Sequence, residues 1–318
     1  MSPSTDIRNR FDRLRAEVAL HPAEATATET FESAARTARA VAAECLPLGL
    51  ALVMHLYPLC VLRCVALPWF SRAGFRRTRL LHDIDSRSLI LANAGSERTA
   101  GAHPPVTVMR TRAGVRVDGT YDYVSLANIA DIVLFSAPLA GSVCTVFCAA
   151  DLRSTSIRIG SPRFNGSMRL SDTCPVTFVN LHVPAERTLV VPSDAAFDCM
   201  AQYQRSWFHL LLGESYVARI ERLQLEWNLP RSVEQIAGLN ELALLRSYAL
   251  RLLAEAATPA GIDALCRVTA ALKLRVSWLA QATAAAMRTH DETAAQELGY
   301  LRLQPTSDDR ILRSLGAA

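Results

Sequence analysis

The sequence predicts an α+β chain in which helices come first, strands lie in the middle and helices return towards the C-terminal end. Residues 107–184 hold short β-branched and aromatic runs between Gly, Pro, Asn and Asp residues, which is the pattern of strands and turns. Long Ala-, Leu- and Arg-rich segments on both sides repeat with helical periodicity. We therefore expect N-terminal helices, a central antiparallel β-barrel or sandwich and a C-terminal four-helix bundle.

The N-terminal helices include one segment that is apolar enough to require a membrane test. After a charged amphipathic helix over residues 6–20, the run from Cys45 to Leu62 is eighteen residues long and apolar apart from His55, which meets the lower length limit for a spanning helix. Pro47 and Pro58 interrupt this run. A helix that is apolar on all sides is buried in protein or in lipid alike, and we expect a buried core helix and no membrane span.

The central and C-terminal elements follow from the same patterns. The strand runs are Val115–Thr120, Ile132–Phe135, Thr145–Cys148, Ser156–Ile159 and Val176–Val183. The helical block begins with Phe197–Gly213, which continues beyond Gly213, and adds Leu239–Ala257 and Ile262–His290. We expect three domains, with boundaries that give residues 1–91, 92–192 and 193–318.

Composition excludes several functional classes. The chain has 318 residues, half of them apolar, and a net charge of only +4, so nothing favours a nucleic-acid-binding protein. Eight cysteines without a C-x-x-C pair or His-rich spacing favour reduced thiols in the cytoplasm and give no metal site. Lys273 is the single lysine among many arginines, which is typical of coding bias in a GC-rich bacterial genome.

Three segments carry a resemblance to a known family. The segment Gly119–Ala137, with Tyr-Val-Ser-Leu-Ala-Asn-Ile-Ala-Asp at its centre, resembles the middle domain of acyl-CoA dehydrogenases, and Gly166–Pro184 is similar to the closing segment of that domain. Upstream, Ala92–Arg98 resembles a turn found in flavin monooxygenases of the same superfamily. The resemblance covers roughly residues 35 to 312 and implies a shortened, divergent member of this superfamily.

The resemblance implies a flavin site and assigns residues to it. The family uses FAD, and whether this chain binds flavin at all is left open. Ser125 matches the hydroxyl residue that bonds near flavin N5, and Tyr123 stands where an aromatic residue packs on the ring. Ser96, followed by Glu97, matches the turn over the flavin. Arg222 resembles the arginine that reaches the pyrophosphate, although the residues that follow it differ from the family pattern.

The largest departure from the family pattern concerns the catalytic base. Acyl-CoA dehydrogenases most often place a glutamate just beyond the segment that here begins at Pro305, and some members place it on the first C-terminal helix, where Glu214 is the nearest acid. His55 is an alternative general acid or base, because histidine titrates near neutral pH; its other interpretation is a core histidine bonded to the backbone. His82 and His103 are further candidates, and His182 is expected to be an outward strand position.

A basic segment adds a possible contact with phosphate. Ser71–Arg79 contains four arginines. It is interpreted either as a solvated turn or as a landing site for the phosphates of CoA or of an acidic carrier protein, since guanidinium groups bind phosphate bidentately. Homodimers or homotetramers are implied by the resemblance only.

Three functional hypotheses remain open. The first is a flavin-dependent oxidoreductase-like tailoring enzyme in bacterial secondary metabolism, acting on a small molecule or on a carrier-bound acyl thioester. The second is a cofactor-free dehydratase, lyase or cyclase that uses acid and base groups such as His55 in the vacated cavity. The third is a noncatalytic partner subunit of a complete homologue. Fold-level likeness does not by itself decide among them.

Overall fold

A computed structural model describes residues 26–65, 77–94, 106–191, 193–256 and 258–300, together with residue 9. The expected helix over residues 6–20, most of the basic segment, Ser96, Glu97 and His103 lie outside these ranges. Within them the chain has seven helices: α1 (Ala27–Glu44), α2 (Leu46–Cys64), α3 (Arg77–Ser86), α4 (Asp194–Glu226), α5 (Val233–Glu255), α6 (Pro259–Met287) and α7 (Glu292–Gly299).

Eight strands lie between α3 and α4. They are β1 (Leu91–Ala94), β2 (Thr107–Thr111), β3 (Gly114–Val124), β4 (Ile132–Pro138), β5 (Thr145–Asp151), β6 (Ile157–Ile159), β7 (Cys174–Pro184) and β8 (Thr188–Val191). The order across the sheet is β6-β7-β3-β1-β4-β5-β8, with β2 paired to β3. The α+β class and all five predicted strand runs are therefore confirmed.

The expected antiparallel barrel needs two corrections. The sheet is open, because its path ends at β6 and β8, which are only three and four residues long; short edge strands of this kind limit further pairing. One pair is also parallel, since β1 enters between β3 and β4 and runs beside β4 with Leu91 opposite Ile132. A four-residue apolar strand directly after a helix gave no alternating pattern by which to recognise it.

By its contacts the described chain forms two compact units. The first comprises residues 54–201, and the second combines the described residues before 54 with those from 202 onward. Helix α1 thus groups with the C-terminal helices and contacts α5. The three-domain division expected from the sequence stays a prediction.

The first unit is built around an aromatic core on its sheet. The rings of Phe135 and Phe178 stack with their centroids 4.7 Å apart, and Tyr121 contacts Phe178 edge-on. A register shift between β3 and β7 separates the pair Val117–Leu181 from the pair Gly119–Phe178. Such irregularities bend a strand and re-aim its side chains, and a second shift lies just before Val124.

The second unit is a set of helices with well-defined starts. Thr26 and Glu29 form a reciprocal capping box at α1, and Ser232 and Gln235 do the same at α5. Thr258 caps α6, whose first residue is proline. These caps satisfy N–H groups that a helix start leaves without intrahelical partners.

Helix α2, which contains the apolar run from Cys45 to Leu62 apart from its first residue, is mostly buried. It is the one described helix that is long and apolar enough to cross a membrane, and 89% of its most apolar window is buried inside the protein. The core helix of a soluble protein passes the same length and composition test. The predicted buried helix over the Cys45–Leu62 run is confirmed.

Candidate functional site

Tyr123 lies at the end of β3 with its ring facing outward. The side chain is 55% exposed, although Val124 beside it is fully buried. The Phe164 ring lies 6.2 Å from it, and the Arg163 guanidinium lies 5.7 Å from its centroid. Arg163 is itself held, because its Nε donates to the carbonyl of Asp122 and its guanidinium pairs with the carboxylate of the same residue. The result is a half-exposed aromatic ring with a fixed guanidinium over it.

Ser125 directly follows β3 and belongs to a buried chain of three hydroxyl groups. Its Oγ lies 2.9 Å from Oγ1 of Thr173, which lies 2.8 Å from Oγ of Ser171. All three residues are buried. We call this set the hydroxyl chain. Each hydroxyl can donate or accept, and its proton rotates to suit the partner, so the direction of the chain is free to change.

A carboxylate–amide clamp fixes the turn that follows Ser125. Asp172 accepts hydrogen bonds of 2.7 Å from both the backbone N–H and the side-chain amide of Asn128. Burial raises the pKa of Asp172 even though these bonds oppose the shift. The Asn128 amide also contacts the thiol of Cys174, whose pKa burial raises to about 11. This thiol is therefore protonated at neutral pH, which makes it a poor nucleophile.

His55 is buried on α2 and bonded to the sheet of the same unit. The backbone N–H of Leu91 donates to its Nδ1 at 3.0 Å, so Nδ1 has no proton and the neutral ring holds its proton on Nε2. In this state the Nε2–H of His55 is a hydrogen-bond donor, and Nδ1 cannot act as a base until the bond to Leu91 breaks. The geometry thus matches the core-histidine interpretation, with a backbone N–H as partner in place of the expected carbonyl. The catalytic role stays an untested prediction.

Glu214 lies on α4 and accepts charge-assisted bonds from two arginines. Arg39 Nη1 donates to one carboxylate oxygen at 3.0 Å, and Arg246 Nε donates to the other. Arg246 also pairs with Glu32, and Arg39 with Glu221. We call these five residues the Glu214 cluster. Both oxygens of Glu214 are already engaged, so its predicted role as catalytic base has no support from the contacts and remains untested.

Arg222 lies on the surface of α4 rather than in a built site. Its Nε donates to Glu226 one helical turn later at 2.7 Å, and a longer contact of 3.8 Å reaches Glu44. The bond to Glu226 is the main cause that raises the pKa of Arg222. A pyrophosphate would have to compete with this acid. Among the other histidines, His82 is exposed on α3, and the outward position predicted for His182 on β7 is confirmed.

Sequence reasoning missed most of the partners of Tyr123 and Ser125. Thr173, Asn128 and Asp172 lie inside the segments that carry the resemblance, but none of them was assigned to the site. The polar run Ser171–Asp172–Thr173 before a strand was the one visible signal. The bond from Asn128 to Asp172 joins residues 44 positions apart, and no local pattern shows such a pairing. In the described part of the chain no group of three or more His, Cys, Asp or Glu residues is arranged to hold a metal.

Comparison with known proteins identifies the fold. No family model matches the sequence, and no curated protein sequence matches it significantly. FMN-bound TdsC from Paenibacillus sp. A11-2, a dibenzothiophene monooxygenase, is similar in structure with a TM-score of 0.71 and 16% identity, over 99% of this chain and 95% of TdsC.

Two further solved structures show the same similarity. KijD3, in complex with FMN and a dTDP-amino-keto-sugar, has a TM-score of 0.72 and 16% identity, over 99% of this chain and 92% of its own. PigA, solved with FAD and proline, has a TM-score of 0.64 and 17% identity, over 92% of this chain and 83% of its own. At these identities the likeness shows the fold alone. The chain has the fold of flavin-dependent, acyl-CoA dehydrogenase-like enzymes.

Proposed function

We propose that this chain is a flavin-dependent oxidoreductase that acts on a small molecule. The observation that carries the proposal is the pairing of the open Tyr123 ring with the hydroxyl chain two residues further along. A flavin presents a flat aromatic ring with polar edges, so it needs a stacking surface and rotatable donors. The solved proteins of similar fold that bind FMN or FAD support the same assignment.

The described residues of the first unit fit such a cofactor. Tyr123 offers a half-exposed ring for stacking, and Arg163 lies over that ring while paired with Asp122. Ser125 can turn its hydroxyl from Thr173 towards a ring atom, because Ser171 remains as a partner for Thr173. The bound flavin would supply hydride or oxygen chemistry. The protein residues orient it and hold its polar edge.

FMN and FAD differ in the phosphate groups that the protein would have to bind. FAD carries a pyrophosphate that requires cationic or backbone donors, and Arg222 is engaged by acids. FMN carries a single phosphate in place of the pyrophosphate, so it needs fewer such donors. The substrate is proposed at the level of a small molecule or a carrier-bound acyl group in bacterial secondary metabolism, in a cytoplasmic protein.

The test is direct flavin binding with matched variants. Purified protein is titrated with FMN and with FAD, oxidised and reduced, while flavin fluorescence or absorbance is followed. We expect Tyr123→Ala to weaken binding about five- to tenfold, since aromatic stacking contributes about 1 kcal/mol. The control is Trp278→Ala, which removes an exposed ring on α6 that likewise has an arginine, Arg275, over it.

A second matched pair tests the hydroxyl chain. Ser125→Ala should weaken flavin binding a few-fold, whereas Ser215→Ala removes a buried hydroxyl that bonds only within α4 and should not. A wild-type protein that binds neither flavin in either redox state contradicts the proposal. Equal loss in Tyr123→Ala and Trp278→Ala contradicts the assignment of the site.

Self-association is proposed from one face of α5. This helix exposes Val233, Ile236, Leu244 and Tyr248, although its opposite face is buried. In an antiparallel pair of α5 helices centred on Leu244, exposed Arg251 would face the second copy between Glu234 and Glu241, which lie two turns apart. We expect Leu244→Glu to lower the mass measured by light scattering towards that of a monomer, and an unchanged mass would exclude this face.

A further inference from the structure

A polar cleft lies on the first unit, at the end of the sheet where β1 and β4 begin. Its volume is about 240 Å³, comparable to about eight liquid waters. Arg87 and Ser88 form one wall, Asp151 and Arg153 another, and Arg187 closes it. Ser125 lies beyond the other end of β1, where Val124 pairs with Ala94. The cleft is therefore separate from the proposed flavin contacts.

The negative charge at the base of the cleft is already balanced. Asp131 is buried, and its carboxylate accepts bonds from the Ile90 N–H at 2.9 Å and from the Arg153 guanidinium. The backbone N–H of Arg153 also donates to Asp151 at 2.9 Å. These contacts tie three loops together. They use Arg153 to neutralise Asp131 and leave the second carboxylate oxygen of Asp151 without a hydrogen bond among the described residues.

Positive charge is in excess at the opposite wall. Arg87 is exposed and has no hydrogen-bond or ion-pair partner for its guanidinium among the described residues. Arg187 faces only Asp83, at a long distance of 3.6 Å. Ser88, next to Arg87, adopts a left-handed backbone with φ of 52°, a conformation that costs about 1 kcal/mol or more for a residue with a side chain. Two arginines from separate turns thus line one cleft.

A smaller cleft of about 100 Å³ continues from this wall. It shares Arg187 and adds Arg79, which likewise has no charged partner among the described residues, beside Asp83 and Glu186. Acids balance the charge there, so we place the anion site in the larger cleft.

We propose that the larger cleft binds a phosphate monoester carried on a hydroxyl-bearing group, the chemistry of a sugar phosphate. Guanidinium groups of Arg87 and Arg187 match the geometry of a phosphate dianion and bind it with charge-assisted bonds. The carboxylate of Asp151 accepts hydrogen bonds from the hydroxyl groups of the remainder of the ligand. The cleft is larger than one phosphate ion, which leaves room for that remainder.

The experiment uses the whole chain and three small probes: ribose 5-phosphate, inorganic phosphate and ribose. Binding is followed by calorimetry at constant ionic strength in chloride, so that general salt effects cancel. We expect ribose 5-phosphate to bind more tightly than phosphate, and ribose not to bind measurably. Arg87→Ala should weaken ribose 5-phosphate at least tenfold. Arg112→Ala, which removes an exposed arginine from the β2–β3 turn, should leave its affinity unchanged.

Two further variants separate the parts of the site. Asp151→Asn should weaken ribose 5-phosphate several-fold without weakening inorganic phosphate, since only the hydroxyl contacts change. Tyr123→Ala should leave all three probes unaffected, which keeps this result independent of flavin binding. The proposal is overturned if ribose 5-phosphate does not bind at matched ionic strength, or if Arg112→Ala weakens it as much as Arg87→Ala.

Discussion

The two units bury polar groups in contrasting ways. In the first unit, Ser125 belongs to a chain of neutral hydroxyls whose hydrogen bonds can reverse direction. In the second unit, Glu214 is held between two guanidinium groups whose direction is set by charge. A neutral chain can exchange one partner for a ligand at small cost, whereas a charged group that loses its partner keeps its full desolvation penalty. The contrast favours Ser125 as a ligand contact and Glu214 as a structural group.

The largest expected effect comes from breaking the Glu214 cluster. Glu214→Gln leaves Arg39 and Arg246 without their shared anion, and removing one partner of a fully buried ion pair costs about 3–5 kcal/mol. Both arginines are about one-third exposed, so we expect a loss of about 2–3 kcal/mol in the free energy of unfolding. Chemical denaturation monitored by circular dichroism measures this loss.

A neighbouring glutamate provides the control for that experiment. Glu221 shares only Arg39 and is itself more than one-third exposed, so Glu221→Gln should cost less than about 1 kcal/mol. If Glu214→Gln has full stability but abolishes turnover, the structural interpretation fails and the predicted base gains its support.

A buried histidine in the second unit gives the next effect, with a defined pH sign. Burial, with the nearby charges of Lys273 and Arg205, lowers the pKa of His209 well below its ordinary value of 6.5. Below pH 6.5 the unfolded chain therefore binds a proton at His209 that the folded chain does not bind. Stability should fall by about 1.4 kcal/mol per pH unit well below pH 6.5 and recover above it.

His209→Leu tests this assignment. The variant should lose that part of the acid sensitivity between pH 6.5 and 4.5, and His290→Leu, which changes a surface histidine, should retain it. An identical pH slope in wild-type protein and His209→Leu would show that the folded chain protonates His209 normally.

Asp172 in the first unit should show the opposite sign and a smaller size. Its pKa is raised by burial above 3.8, so the folded chain binds a proton before the unfolded chain does. Asp172 thus contributes most stability below its unfolded pKa, and this contribution is lost as pH rises through the folded pKa. Relative to Asp172→Asn, the wild type should gain stability on acidification through this window. A constant difference across pH 3–7 would contradict the shift.

These two networks also show where sequence reasoning stops. Helices α4 to α6 and most strands follow from periodicity, whereas the capping boxes at Thr26 and Ser232 were not used to place the helix starts. Strand β1 was missed because its four residues show no alternating pattern. Tyr123 and Ser125 were assigned through the resemblance. The ion pair from Arg39 to Glu214, by contrast, joins residues 175 positions apart. Neither charge pattern nor spacing predicts that arginines already bind both oxygens of Glu214.

The smallest stability effect is expected for Arg222→Ala, and the affinities of this variant for FAD and FMN test whether Arg222 contributes to cofactor choice. Arg222→Ala breaks exposed contacts to Glu226 and Glu44, and surface pairs of this kind add little to stability, so the unfolding transition should not move measurably. If Arg222 leaves Glu226 to bind a pyrophosphate, as the resemblance implies, the variant loses affinity for FAD and keeps its affinity for FMN.

Removing the acid that pairs with Arg222 supplies the complementary control. Glu226→Gln frees the guanidinium from its nearest acid and should tighten FAD but not FMN, because only FAD carries the second phosphate. If both variants leave the ratio of the two affinities unchanged, Arg222 has no part in cofactor choice. Flavin recognition by the described residues would then rest on the neutral groups around Ser125 and on the Tyr123 ring.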